Sequence, residues 1–306
     1  MAPRTFNLRT FFQGKSILAI LISINIGVFL LVVIAGIVSA LFKSNSHLLL
    51  SNLELPAELY QLIRKPWTLI TYMFTHQSFF HILFNLLWLY WFGQLFVNFF
   101  GARPLGGLYF LGGLAGAFFF IAAYNLFPYF EGSLGHSYLI GASASIMAVV
   151  FAAAFYRPDF TINLFLFGSV KIIYIALLLL VINIITLPTS TPQGEIILNN
   201  AGGFFAHLGG IAMGIWFASR WKQGKDLTRG MNSLLDSIAN SFKKKEKKPK
   251  SKMKVKYKRT ETDMQYNARK NEEQAEIDRI LDKIKRSGYD TLTDKEKNTL
   301  FGAGKK

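Results

Sequence analysis

Six stretches of this chain are each apolar over nearly the length needed to cross lipid or more, and no other feature of the sequence limits its fold as strongly. A helix needs about 20 apolar residues, rising about 1.5 Å each, to cross the ~30 Å hydrocarbon core of a bilayer. The stretches lie near 17–42, 78–100, 105–127, 138–156, 170–187 and 201–219. The fourth is the shortest and most polar, with Ser143 and Ser145 near its start. The first reads as a spanning helix and not a cleaved signal peptide. Its apolar run is about twice the usual signal-peptide core, and Leu41-Phe42-Lys43 lacks a small-x-small cleavage pattern. The expected fold class is therefore all-α, a polytopic six-transmembrane-helix bundle.

Charge then divides the chain into two materials. Residues 1–220 carry ten Lys or Arg and five Asp or Glu, whereas residues 221–306 carry 24 and 13. Of the net +16, +11 sits in that last part. The split excludes a uniformly soluble enzyme and a disordered chain. The absence of Cys excludes disulfides, thiol catalysis and Cys-type zinc sites. The organisation that follows is a cytoplasmic N-terminal segment at 1–16 and a membrane domain at 17–220, then a basic flexible linker at 221–265 and a small helical cytoplasmic tail at 266–306. Within the tail Ile277, Ile280, Leu281 and Ile284 recur at helical spacing, and Thr293 is placed to cap a short last helix.

Basic residues also set the orientation. Arg4, Arg9 and Lys15 precede the first span, while Arg103, Arg157, Lys171 and Arg220 fall on the same side. Lys43, Arg64 and Lys65 oppose them, beside Glu54, Glu58, Glu131 and Glu195. The positive-inside rule puts both termini in the cytoplasm. The 43–77 segment is then an external loop, apolar enough (Leu48 to Leu50, Leu62, Ile63) to lie at the interface with Trp67 as its anchor. The Lys-rich stretch from Lys243 to Arg259 is expected beside anionic lipid headgroups. Its only interleaved aromatic is Tyr257, so no nucleic acid is expected as a partner.

A polar group inside lipid is costly unless paired, which makes each one a candidate for function. Prominent within the spans are His81 and Asn85 in the second, Ser143 and Ser145 in the fourth, Asn183 in the fifth and His207 in the sixth. No Asp, Glu, Lys or Arg lies inside a span away from its edges, which argues against an ion-coupled transporter. The even-numbered spans cross in one direction, so His81, Ser143 and His207 share a layer roughly 6–9 Å below one surface, with Asn85 one helical turn beyond His81. A serine hydroxyl becomes a nucleophile when a base removes its proton, and a neutral imidazole is the usual base. With no acid in the spans, Ser143 and His207 can form only a dyad. His81, Asn85 and the Ser143 amide are suitable in type and depth to hold an oxyanion. Ser145 is about 200° around the helix from Ser143 and points elsewhere. Gly141, Gly203, Gly209, Gly210 and Gly214 would let the fourth and sixth spans approach closely.

At these residues the sequence resembles the rhomboid family of intramembrane serine proteases. His76-Gln-Ser-Phe-Phe-His81-Ile-Leu-Phe-Asn85 is similar to the family's His, His, Asn signature, Gly141-Ala142-Ser143-Ala144 to its G-x-S-G motif, and Ala206-His207-Leu208-Gly209-Gly210 to its A-H-x-x-G motif. The resemblance covers about 15–220. It implies Ser143 as nucleophile, His207 as general base, His81 and Asn85 as oxyanion donors, and His76 as a contributor outside that central set. It also implies that the fifth span is a mobile gate and that the Trp67 loop supports the fold from the outer leaflet. There are departures: Ala144 stands where the family has Gly, Met147 where it often has an aromatic against the base, and Trp67-Thr68 where many members have Trp-Arg. With Met147 there, His207 is expected to be held by sulfur packing or by another ring. The loop Gly101-Ala102-Arg103-Pro104-Leu105-Gly106 lacks the usual Glu. More faintly, Ile277 to Ile284 resembles a small helical domain appended to some bacterial members, which implies a bacterial cytoplasmic membrane.

The function expected is that of a serine endopeptidase cleaving transmembrane protein substrates near the outer leaflet, without metal or organic cofactor, since two His on a helix without carboxylates make a poor zinc site. The alternatives are a catalytically inactive rhomboid-like protein that binds membrane clients and, behind it, a transporter.

Overall fold

The spanning helices begin and end where the sequence changes what their backbone can bond to. The computed structural model describes residues 16–44, 49–164, 168–185, 187–190, 196–198, 200–242 and 262–303. Arg4, Arg9, Lys15, Leu48, Glu195 and the Lys-rich stretch 243–259 lie outside the described residues. Six apolar helices follow one another: α1 (Ile17–Leu41), α2 (Phe79–Phe100), α3 (Arg103–Leu126), α4 (Ser143–Tyr156), α5 (Ile172–Ile185) and α6 (Ala201–Lys222). The protein is a multi-pass, all-α membrane protein, with α1, α2, α3 and α6 long and apolar enough to cross a bilayer. Ser78 starts α2 by accepting the His81 N–H at 3.3 Å, and Gly101, at φ +84°, ends it.

Two of the six are shorter than their apolar runs. α4 and α5 have 14 residues each, about 21 Å at ~1.5 Å per residue, although the sequence suggests spans over 138–156 and 170–187. The backbone ahead of α4 is spent on other pairings. β1 (Leu55–Pro56) pairs antiparallel with β2 (Tyr138–Leu139), and Gly141 sits at φ +111°, outside helical space. Ahead of α5, a hairpin of β3 (Thr161–Leu164) and β4 (Gly168–Lys171) replaces the expected turn, with Lys171 bonded to Asp159 at 2.8 Å. Ion-pairing to Lys171 holds the exposed Asp159 carboxyl below its ordinary pKa.

The loop between α1 and α2 is built into the bundle. Leu55, Tyr72 and Met73 are fully buried, the Tyr72 O–H donates to Gly113 O at 2.6 Å, and the Tyr109 O–H donates to Met73 O at 2.9 Å. Trp67 keeps half its surface exposed while its Nε1–H donates to Asn52 O.

Glycines place α3, α4 and α6 in backbone contact. A Cβ on Gly209 or Gly210 would overlap the Ala115 or Ala144 carbonyl, and one on Gly214 the Ala148 carbonyl. Small residues let helices in lipid approach this closely, where packing rather than water drives association.

After α6, the expected linker 221–265 is interrupted by a helix, α7 (Arg229–Phe242). The only charged residues in α7 are Arg229 and Asp236, so the basic composition of the whole region conceals it. Thr228 and Asn232 occupy the space that Gly107 of α3 leaves open, and Asp236 pairs with Arg103 at 2.8 Å.

The chain divides into two units, Met1–Lys244 and Lys245–Lys306. The second is a helical hairpin of α8 (Asp263–Ser287) and α9 (Asp294–Ala303) closing on Ile280 and Leu292. Thr262 and Gln265 form a capping box at α8. At α9, Thr293 accepts the Glu296 N–H and Glu296 accepts the Thr293 N–H at 2.8 Å, while Lys283 bonds the same carboxylate. These bonds, the Thr293 backbone first, pull the Glu296 pKa down to about 2. Leu281 faces solvent instead of joining Ile280, because the hairpin covers only one stripe of α8.

Candidate active site

Ser143 is the first residue of α4, where the opening N–H groups of a helix have no partner within it. Ahead of it, Gly141 donates its N–H to Tyr72 O at 2.9 Å, so the loop between α1 and α2 holds the approach to the serine. The positive φ of Gly141 suits glycine alone, and a Cβ there would stand 2.8 Å from His81 Nε2. The His81 ring therefore lies against the turn that carries Ser143.

His207, the seventh residue of α6, accepts a hydrogen bond from the Ser143 hydroxyl at its Nε2, at 2.7 Å. Its Nδ1 is 2.8 Å from Asn183 Oδ1 on α5. A carboxamide oxygen only accepts, so the proton of a neutral imidazole sits on Nδ1 and the lone pair of Nε2 faces the serine. That is the tautomer a general base needs. The sequence marks Asn183 as a polar residue in lipid and, with no carboxylate inside the spans, leaves only a Ser143–His207 dyad. A carboxamide, that of Asn183, is bonded to the ring nitrogen of His207 away from Ser143. No ring stacks on His207 among the described residues, and its Nδ1 is held by the bond to Asn183.

The remaining candidates surround this pair in different ways. Asn85, 7% exposed, donates its Nδ2–H to His81 O at 2.8 Å and keeps a second N–H for other use. His76 is fully buried, with Nδ1 3.2 Å from Phe74 O and its ring edge-on to His81 at 4.9 Å. It abuts His81 and forms no bond to Ser143. Ser145 is buried on the far side of α4, against Gly112 of α3. Ala144 costs no clearance: its methyl lies where Gly116 of α3 has no side chain, and a Cβ on Gly116 would meet it at 2.6 Å.

The order of these groups along the chain is also that of a known family. A model of the Rhomboid domain matches residues 64–221, slightly more than half of the chain. The chain belongs to the rhomboid family. A second model, of a family of unknown function (DUF6576), matches residues 260–302, which hold α8 and α9. No curated protein matches the chain. Within the rhomboid region, a cavity of about 870 Å³ opens between α2 and α5, lined among others by Trp88, Trp91, Leu95, Tyr174 and Leu178. It is apolar, and none of the Ser143 layer lines it.

Proposed function

We propose that this rhomboid protein is an intramembrane serine endopeptidase that cleaves transmembrane proteins. The observation that carries the proposal is the 2.7 Å bond from the Ser143 hydroxyl to His207 Nε2, which joins a nucleophile to a base of the right tautomer.

In the reaction a substrate helix lies along the α2–α5 side, where the apolar cavity suits it, and unwinds to present a carbonyl. Ser143 Oγ attacks the carbonyl carbon while its proton passes to His207 Nε2. The resulting oxyanion is held by the Ser143 N–H, the His81 ring N–H and the second Asn85 N–H. Collapse breaks the C–N bond, and His207 returns the proton to the leaving amine. Water then repeats the sequence on the acyl-serine, with His207 as base, and releases the new carboxylate. Both termini are placed in the cytoplasm and the site toward the outer face of a cell membrane, as the basic residues support. The stretch 243–259 lies near anionic headgroups.

The test is cleavage of a reconstituted transmembrane substrate. Ser143→Ala and His207→Ala should each lower turnover by at least ~10⁴-fold with the helical fold retained, and a fluorophosphonate should label Ser143. Unchanged turnover in either variant excludes the mechanism, and an unlabelled Ser143 with no turnover in the natural protein favours the inactive client-binding reading.

A further inference from the structure

We infer that Asn183 is the positioning residue for His207 and that, because α5 carries it, the base is correctly held only while α5 is seated. This rests on the protease reading above.

The attachment of α5 is narrow. Its buried residues are Ile172, Ala176 and Asn183, and at ~100° per residue these fall on one face, within about 40° of each other. The first two are at the end near the β3–β4 hairpin. Asn183 is the buried contact at the other end, 8% exposed, and its oxygen is bonded to His207. Tyr174, Leu177, Leu178, Val181 and Ile182 present large surfaces outward. Leucine would fill the site of Asn183 at less cost in an apolar medium, and would leave the Nδ1–H of a half-buried histidine without its acceptor.

The bond acts through the tautomer. With Asn183 Oδ1 accepting from Nδ1–H, Nε2 stays unprotonated and takes the Ser143 proton. An outward shift of α5 by about 1 Å carries Oδ1 beyond hydrogen-bond range. Nδ1 then loses its fixed acceptor, the ring is free to turn, and the tautomer with the proton on Nε2 cannot act as base toward Ser143. The cavity between α2 and α5 lies along the outer flank of α5, so a helix occupying it bears on the element that holds the base. Proton transfer thus waits for α5 to return. The other titratable groups there are His81 of α2 and His76, whose ring abuts it at 4.9 Å, and α2, α4 and α5 contain no Asp, Glu, Lys or Arg.

The experiment measures kcat, KM and the pH profile of cleavage for the full chain in proteoliposomes, using a transmembrane substrate that the natural protein cleaves. Asn183→Leu should lower kcat by about 10- to 100-fold with KM within about twofold. Asn183→Asp restores an acceptor and adds negative charge, which stabilises the imidazolium. It should recover most of kcat and move the acid limb of the profile to higher pH by about one unit. Asn183→Leu within twofold of the natural kcat overturns the inference. So does an Asn183→Asp that loses as much as the leucine variant with its acid limb unmoved, which would assign Asn183 to packing alone. If the natural protein neither cleaves nor labels at Ser143, the protease reading fails instead, and the two failures are told apart.

Discussion

α4 and α5 are helices of equal length that reach toward the same histidine, and they are held in opposite ways. Ten of the 14 residues of α4 are buried, against three of 14 in α5. α4 is rich in alanine and meets α3 and α6 through glycines, whereas α5 carries leucine, isoleucine and valine turned outward. Both are apolar, but one is solvated by protein and the other by lipid, and small residues distinguish the two cases. The nucleophile therefore rides on the element that cannot move, and the acceptor for its base on an element that is cheap to displace.

The harshest way to break this contrast is to separate α4 from α6. A leucine at Gly210 would drive its Cβ into the Ala144 carbonyl, where neither backbone can give way. Gly210→Leu should cost about 3 kcal/mol or more and abolish cleavage, read from unfolding in detergent beside activity. A well-folded, active Gly210→Leu would mean that α4 is no more rigidly held than α5. Gly141→Ala is narrower. It forces alanine into φ +111° and toward the His81 ring, so turnover should fall about 10²-fold, with a stability cost of about 1–3 kcal/mol. Smaller again is Ala144→Gly, which restores the family's residue but leaves a gap opposite Gly116. It should cost about 1 kcal/mol in thermal unfolding with turnover within threefold, whereas a rise in stability would show the methyl to be strained.

The rigid half of the contrast is the half that was readable in the sequence. Span direction and depth bring Ser143, His81 and His207 to one layer, and the glycines after His207 announce a close helix pair. The lengths of α4 and α5 were not readable, because hydropathy does not distinguish a helix from the extended approach at 138–142 or from the strand residues 170 and 171 that precede α5. α7 was hidden by the basic residues that follow it. The part of Asn183 was recoverable. Odd-numbered spans run opposite to even ones, so a residue near the end of the fifth span returns to the layer where the second, fourth and sixth begin. A search for a carboxylate passes over it.

For the mobile half, Leu178→Ala removes an outward side chain from α5. It should change stability by less than ~0.5 kcal/mol, since lipid solvates either residue, while raising KM if substrate helices lie on that side. Titration of cleavage against substrate concentration separates the two. A destabilisation of several kcal/mol would instead show that α5 is packed like α4.

The tail supplies a control, because its stability depends on charge in water and not on packing in lipid. The Glu296 carboxyl sits at about 2, below the ordinary glutamate value of 4.5, because its charged form accepts bonds from Thr293 and Lys283. A depressed folded-state pKa contributes stability that is fully present above the unfolded value and lost as pH falls through the folded one. The Cα chemical shifts of 294–303 in the full chain should therefore hold steady above about pH 5 and drift toward coil between about pH 4.5 and 2. Glu296→Gln should show a weakened α9 at neutral pH and lose its difference from the natural protein at the acid end. Cleavage by that variant should match the natural chain, because Ser143, His207, His81, Asn85 and Asn183 all belong to the first unit. If cleavage fell with α9, the two units would be coupled, and the rigid and mobile helices would no longer account for activity between them.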